Sequence, residues 1–213
     1  MVTATATSER DRLTQPQRRA RSRSALLESA ARGLSRHGYS DLVLERVASE
    51  AGYTRGALYH QFANKEDLAL AVVTWVEETW WAEMARVISD NPDPVEALIG
   101  VARAHAIFCR RDIARVHIVL SVEFSGRDHP IGRSIEEAGR LVVAEFARLI
   151  TAARRSGAVP PGPPARVLAL ALLGSVEGLV INLAGQAPFD ELLAEGVVRG
   201  VLGLAPAPAE GVA

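Results

Sequence analysis

Apolar residues recur at three- and four-residue spacing along nearly the whole chain, and glycine and proline punctuate the runs. That period lines side chains along one stripe of a helix, and strand-like alternation is scarce, so an all-α fold is expected. Gly38 ends an amphipathic helix over residues 23–37, and Gly52 separates short helices at 44–51 and 54–61. Asn64 is placed to cap a long helix running to about Ser89, with Glu66 and Asp67 in its first turn. Asn91-Pro92-Asp93-Pro94 is a hard break, and helices are expected beyond it at 95–109, 112–124, 131–156, 165–184 and 189–204, nine in all.

A chain of 213 residues with 48% hydrophobic content can bury a sizeable core, which excludes long-range disorder. One cysteine, Cys109, cannot form an intrachain disulfide and fits a reducing cytoplasm. The first sixteen residues lack the apolar centre of a secretion signal, so a cytoplasmic location is expected. Residues 167–184 are almost wholly apolar, but Glu177 near their middle makes a lone membrane span costly. A buried packing helix is expected there, and no membrane partner. The net charge of −1 hides a split: residues 1–66 carry 11 basic against 7 acidic groups, or +4, and the remainder carries −5. A basic front on an acidic body points to a polyanion.

Residues 44–62 have the makings of a helix-turn-helix. Two short helices crossing steeply need a small residue at their contact, supplied by Ala48. The turn favours a residue free to take positive φ, supplied by Gly52, and Leu58 can pin the second helix. Val47 and Ala51 complete the inward face, and Thr54 is a natural N-cap. The run 47–68, VASEAGYTRGALYHQFANKEDL, resembles the signature of the TetR family of bacterial transcriptional repressors almost end to end. The resemblance covers roughly residues 20–70; the rest matches only in being helical and of suitable length. One departure is Leu42-Val43-Leu44, where the family usually opens the first helix with Thr or Ser; Ser40 or Asp41 would have to cap instead.

The exposed face of the second helix offers Thr54, Arg55, Gly56, Ala57 and His60 to a major groove. Arg55 can grip guanine O6 and N7 with its fork, while Gly56 and Ala57 admit close approach and leave room for thymine methyls. Tyr59 resembles the family's phosphate-contacting tyrosine. Lys65 is the chain's only lysine, and a cation in a first helical turn opposes the dipole unless a phosphate docks there; the family's lysine at this place meets the DNA backbone. Arg23, with Arg10, Arg12, Arg18, Arg19 and Arg21, could reach phosphates or a minor groove. Low apolar content makes residues 1–20 a flexible Arg-rich arm, and Ala/Pro/Gly-richness makes 205–213 a frayed tail; between them the resemblance implies a DNA-binding domain (21–66) and a ligand-binding and dimerisation domain (67–204).

In the body, no nucleophile elbow, zincin, phosphate-loop or dinucleotide fingerprint occurs, so no enzyme and no cofactor is expected. The resemblance implies a small-molecule pocket between helices. Candidate lining residues are Trp75, Trp80, Trp81, His105, Phe108, Cys109, His117, Leu120, Phe124 and Asn182, each of which could instead be plain core. With no basic cluster on these faces, an apolar or neutral effector is expected. The alternative is a metal- or redox-sensing regulator using Cys109, His105 and His117, although the main reading assigns no metal. The last two helices are expected to form a homodimer through Leu168, Ala171, Leu172, Ser175 and Leu179, then Leu193, Val197 and Val201. The expectation is a ligand-responsive repressor that binds a palindromic double-stranded DNA operator as a homodimer.

Overall fold

The computed structural model describes residues 14–206. Residues 1–13 of the expected arm, Arg10 and Arg12 among them, and 207–213 of the expected tail lie outside them. The described residues form nine α-helices: α1 (Gln15–His37), α2 (Leu44–Glu50), α3 (Arg55–Tyr59), α4 (Lys65–Asp90), α5 (Pro94–Phe108), α6 (Arg115–Phe124), α7 (Pro130–Arg155), α8 (Ala165–Leu183) and α9 (Phe189–Leu202). The architecture is all-α, as the periodicity predicts.

The first correction concerns the arm. Instead of being flexible to residue 20, the chain is helical from Gln15, because Thr14 and Gln17 cap each other: Thr14 N–H donates to Gln17 Oε1 (2.8 Å) and Gln17 N–H to Thr14 Oγ1 (3.4 Å). Pro16 pre-sets the first turn. A second concerns α2, whose N-cap is Val43 with no side-chain cap. Neither Ser40 nor Asp41 serves, and the Ser40 hydroxyl turns instead to Glu123 of α6 (2.6 Å). The stretch 112–124 divides into a 3-10 turn, Asp112–Ala114, and α6; the Asp112 carbonyl accepts from Ser35 Oγ of α1 (2.7 Å).

One continuous core runs through both halves. Leu26, Leu34, Leu58, Phe62 and Leu68 fill the N-terminal three-helix unit, and Met84, Leu98, Leu120, Ile131, Ile150 and Leu172 fill the body. α4 belongs to both, packing against α1 near its start and against α5 and α7 further along. α9 lies on α5 and α8. There the fully buried Asp190 accepts two bonds from Arg110, Nε at 3.0 Å and Nη2 at 2.7 Å, an arrangement that satisfies a costly interior charge.

α8 is long and apolar enough to cross a membrane by length and composition. It packs on α7 and α9 through the buried Ala169, Leu172, Val176 and Val180, flanked by the half-buried Leu168, Leu173 and Leu179, while Val167, Leu170 and Ile181 are exposed. The expected burial of this helix is therefore met within the chain on one face only.

Candidate nucleic-acid interface and effector cavity

Local chemistry builds the N-terminal unit as the spacing predicts. Ala48 and Val47 are buried at the α1–α2–α3 contact, and the buried Ser29 hydroxyl of α1 donates to the Val47 carbonyl (3.0 Å). Gly52 has φ +77°, where a side chain would be strained. Thr54 caps α3 by accepting from Ala57 N–H (3.2 Å), and Leu58 is fully buried beneath it. Gln61 ties the end of this turn to α1 through Ser22 Oγ (3.1 Å).

With Leu58 turned inward, Thr54, Arg55, Gly56, Tyr59 and His60 face solvent together, and Ala57 is half-buried. A Cβ on Gly56 would meet nothing nearer than Thr54 Oγ1 at 3.8 Å, so packing within the chain does not require glycine there. Arg55 is held ready on the surface, paired with Glu45 of α2 (2.6 Å) and lying 5.4 Å from the Tyr59 ring centroid. Both partners are exposed, so the pair can be exchanged for another acceptor at little cost. Arg23 covers the Phe62 ring at 4.7 Å.

Lys65 stands in the first turn of α4, as expected, and its Nζ donates to the Ser40 carbonyl (2.9 Å) above the Tyr39 ring (4.9 Å). The same loop is held from the body. Glu123 of α6 accepts from the Tyr39 amide (2.6 Å), the Ser40 amide (2.8 Å) and the Ser40 hydroxyl. Burial works to raise the Glu123 pKa, but these bonds outweigh it and hold the carboxyl below its ordinary value. Phe124 stacks on His129 (4.3 Å) and meets Tyr39 edge-on (5.3 Å), and His129 Nε2 lies 3.4 Å from Glu66. Sequence reasoning missed this junction. Its signal was Glu123, a lone carboxylate between Val122 and Phe124 at a helix end.

The body encloses a cavity of about 110 Å³ bounded by α4 through α9. Six of the ten expected residues line it: Trp80, Trp81, His105, Phe108, Cys109 and His117. Trp75, Leu120, Phe124 and Asn182 do not. Trp75 precedes Trp80 by five residues and is turned to another side of α4. Leu120 is fully buried core, and Phe124 belongs to the junction just described. Asn182 is exposed, its Nδ2 donating to the Gly178 carbonyl (2.8 Å).

Trp80 and Trp81 pack edge-to-face at 5.0 Å, and Trp80 Nε1 donates to His105 Nδ1 (2.9 Å). His105 Nε2 in turn lies 3.4 Å from Cys109 Sγ. Burial, then Glu177, pushes the Cys109 thiol up to about 12, which keeps it protonated and unreactive. Among the described residues no group of three His, Cys, Asp or Glu side chains could hold a metal. These observations weigh against the metal- or redox-sensing alternative. The walls also bring in Ala138, Gly139, Val142 and Phe146 of α7 and two carboxylates, Glu77 and Glu177, that the sequence reading did not place there. Among the described residues no arginine or lysine lines it.

Of the expected dimer residues, Leu172 faces inward, 1% exposed, as part of the cavity wall. Leu168, Leu179, Val197 and Val201 are half-buried against the core, whereas Ala171, Ser175 and Leu193 are exposed. The most exposed stripe of α8 is offset from the expected one, running through Val167, Leu170, Ala171, Gly174, Gly178 and Ile181. It continues on α9 at Phe189, Leu192, Leu193, Gly196 and Gly200. A helix apolar nearly all round gives periodicity no basis for choosing its outward stripe.

Comparison with known proteins adds to this geometry. The family model for bacterial regulatory proteins, tetR family, matches residues 26–72. The HTH-type transcriptional repressor AcnR of Corynebacterium glutamicum is 30% identical over 184 residues, covering 84% of this chain and 93% of that one. Among solved structures, AibR in complex with isovaleryl coenzyme A and operator DNA superposes with a TM-score of 0.69 at 22% identity, covering 86% of this chain and all of the other (100%). FadR of Bacillus subtilis in complex with stearoyl-CoA superposes with a TM-score of 0.72 at 19% identity, covering 84% of this chain and 97% of its own. The family model covers the helix-turn-helix, and the likeness to AcnR, AibR and FadR extends over the helical body behind it.

Proposed function

Because the chain belongs to the TetR family of bacterial regulatory proteins, and is a transcriptional regulator rather than an enzyme, we propose that it acts in the cytoplasm as a homodimeric, effector-released repressor of a palindromic operator. The observation that carries this reading is the solvent-facing surface of α3. Thr54, Arg55, Gly56, Tyr59 and His60 are presented together while Leu58 anchors the helix from behind. A helix offered this way enters a major groove, with Arg55 exchanging Glu45 for a guanine edge and Tyr59 reaching phosphate. Ala57 adds a small apolar contact at the same face. Lys65 lies at the start of α4, where a phosphate can take over from the Ser40 carbonyl as its partner. Arg23 supplies a further backbone contact from α1.

Two such helices read a palindrome when a dimer holds them about one DNA turn, ~34–36 Å, apart. The exposed apolar stripes of α8 and α9 supply the dimer face, burying hydrophobic area that the monomer leaves in water. The cavity supplies the effector site; the complexes of AibR and FadR with acyl-CoA molecules support placing an organic effector in a body of this fold. An occupant favouring the DNA-incompetent arrangement by about 1–3 kcal/mol lowers operator affinity by 5–150-fold.

Selection of bound sequences from a random DNA pool tests the reading directly. The expected product is a palindrome. Arg55→Ala should relax preference at one base position in each half-site, while Lys65→Ala should weaken all sequences alike and flatten the salt dependence. Unchanged binding in both variants would show that the contact assignment is wrong.

A further inference from the structure

The cavity is apolar except at one place. His117 Nε2 lies 3.8 Å from Glu77 Oε1, beyond hydrogen-bond reach, and that oxygen is buried with no hydrogen-bond partner. Glu177 lines the same cavity from α8, close enough to His117 for their charges to interact. Two carboxylates therefore line a wall that offers them one imidazole, and among the described residues no arginine or lysine lines it to balance them. Leaving a carboxylate oxygen buried and unpartnered is costly, and a cation brought to it recovers that cost. The neighbouring wall is suited to the same charge. Trp80 and Trp81 both line the cavity and meet edge-to-face, and an indole face attracts a cation through its quadrupole. The other donor and acceptor groups nearby are already engaged, since His105 accepts from Trp80 and meets Cys109.

We propose that the cavity selects a monocationic organic molecule with an apolar body, its positive charge held at Glu77 and Glu177 and its body among Trp80, Phe108 and Phe146. This names the effector class for the site proposed above, and it rests on that reading only for its regulatory consequence. It also replaces the expectation of an apolar or neutral effector, which followed from the absence of basic residues on these faces. That absence weighs against an anion; it says nothing against a cation once the two carboxylates are placed.

Three probes of one chain length and different charge decide the matter: decyltrimethylammonium, 1-decanol and decanoate, each kept below its micelle concentration. Binding is followed by calorimetry and by tryptophan fluorescence, since two of the chain's three tryptophans line the cavity. The expected result is binding of the ammonium at least ~10-fold tighter than the alcohol, a difference of about 1.4 kcal/mol, with decanoate weakest. Glu77→Gln, close in shape, should erase the preference for the ammonium and leave 1-decanol binding unchanged. Glu177→Gln should reduce that preference independently, and circular dichroism would verify that both variants are folded. Equal binding of ammonium and alcohol, tighter binding of decanoate, or binding of none of the three overturns the proposal.

Operator release separates this outcome from the one above. A chain that binds its selected DNA but ignores the ammonium sinks the cation proposal alone. One that binds the ammonium but no DNA sinks the repressor reading alone.

Discussion

The Trp80 indole can only donate, so its contact with His105 Nδ1 places the neutral imidazole's proton on Nε2, facing Cys109 Sγ. A second proton on Nδ1 would oppose the indole N–H. Burial first, and the nearby His117 second, lower the His105 pKa to about 4. The unfolded chain has its histidine near 6.5, so between about pH 6.5 and 4 it binds a proton that the folded chain refuses. Stability is then fully present above that window and falls as pH drops through it, by on the order of 2–3 kcal/mol from this group. Urea unfolding at pH 7.5 and 4.5 measures the loss. His105→Gln, which keeps an acceptor for Trp80 and does not titrate, should show a smaller loss; an identical one would remove His105 from the account. The sequence showed His105 and Cys109 at i,i+4 spacing, a pattern shared by a metal pair and a satisfied core pair. Which one it is depended on Trp80, a residue 25 positions away that local spacing cannot bring in.

At the level of elements, the helix-turn-helix was legible because its determinants are local. Ala48, Gly52, Thr54 and Leu58 each act within a few residues of themselves, and the structure places each where its chemistry requires. The start of α1 was misread because helix periodicity needs apolar residues and this segment is rich in arginine; the Thr14–Gln17 capping box was the available signal. The cavity was half legible. On α6, His117 and Phe124 share a face, yet seven residues carry Phe124 about 10 Å along the axis, out of the cavity and into the junction with the N-terminal unit. Glu77 was passed over because charged residues are read as solvent-facing, although it lies between Val76 and Trp80 on an element covered on several sides. The junction itself makes a prediction. Gly38 has φ +73°, and a Cβ there would stand 2.7 Å from Glu123 Oε2. Gly38→Ala should therefore cost about 1 kcal/mol or more by thermal or urea unfolding, through backbone strain and displacement of the Glu123 carboxylate from the Tyr39–Ser40 loop. No loss of stability would mean that the loop is not held as described.

Over the whole molecule, the −1 net charge averages a basic N-terminal unit and an acidic body joined through one core. Fold class followed from periodicity and punctuation, whereas the outward stripe of α8 did not, since a nearly all-apolar helix can be turned without changing its pattern. The exposed Leu170, 52% accessible, is a large apolar member of that stripe. Leu170→Glu should leave the protomer folded and convert a dimer to a monomer in sedimentation experiments, with operator affinity lost in step. A variant that remains dimeric would place the interface elsewhere. α4 gives the molecule a mechanical property as well. It is one unbroken helix with Glu77 in the cavity wall and Lys65, twelve residues earlier, at its foot. At ~1.5 Å per residue these lie about 18 Å apart, so a swing of about 3° at the level of Glu77 carries Lys65 through ~1 Å. That displacement is enough to stretch the 2.9 Å bond from Lys65 to the Ser40 carbonyl beyond hydrogen-bond length. The helix is a lever whose short stroke at one end suffices to change partners at the other.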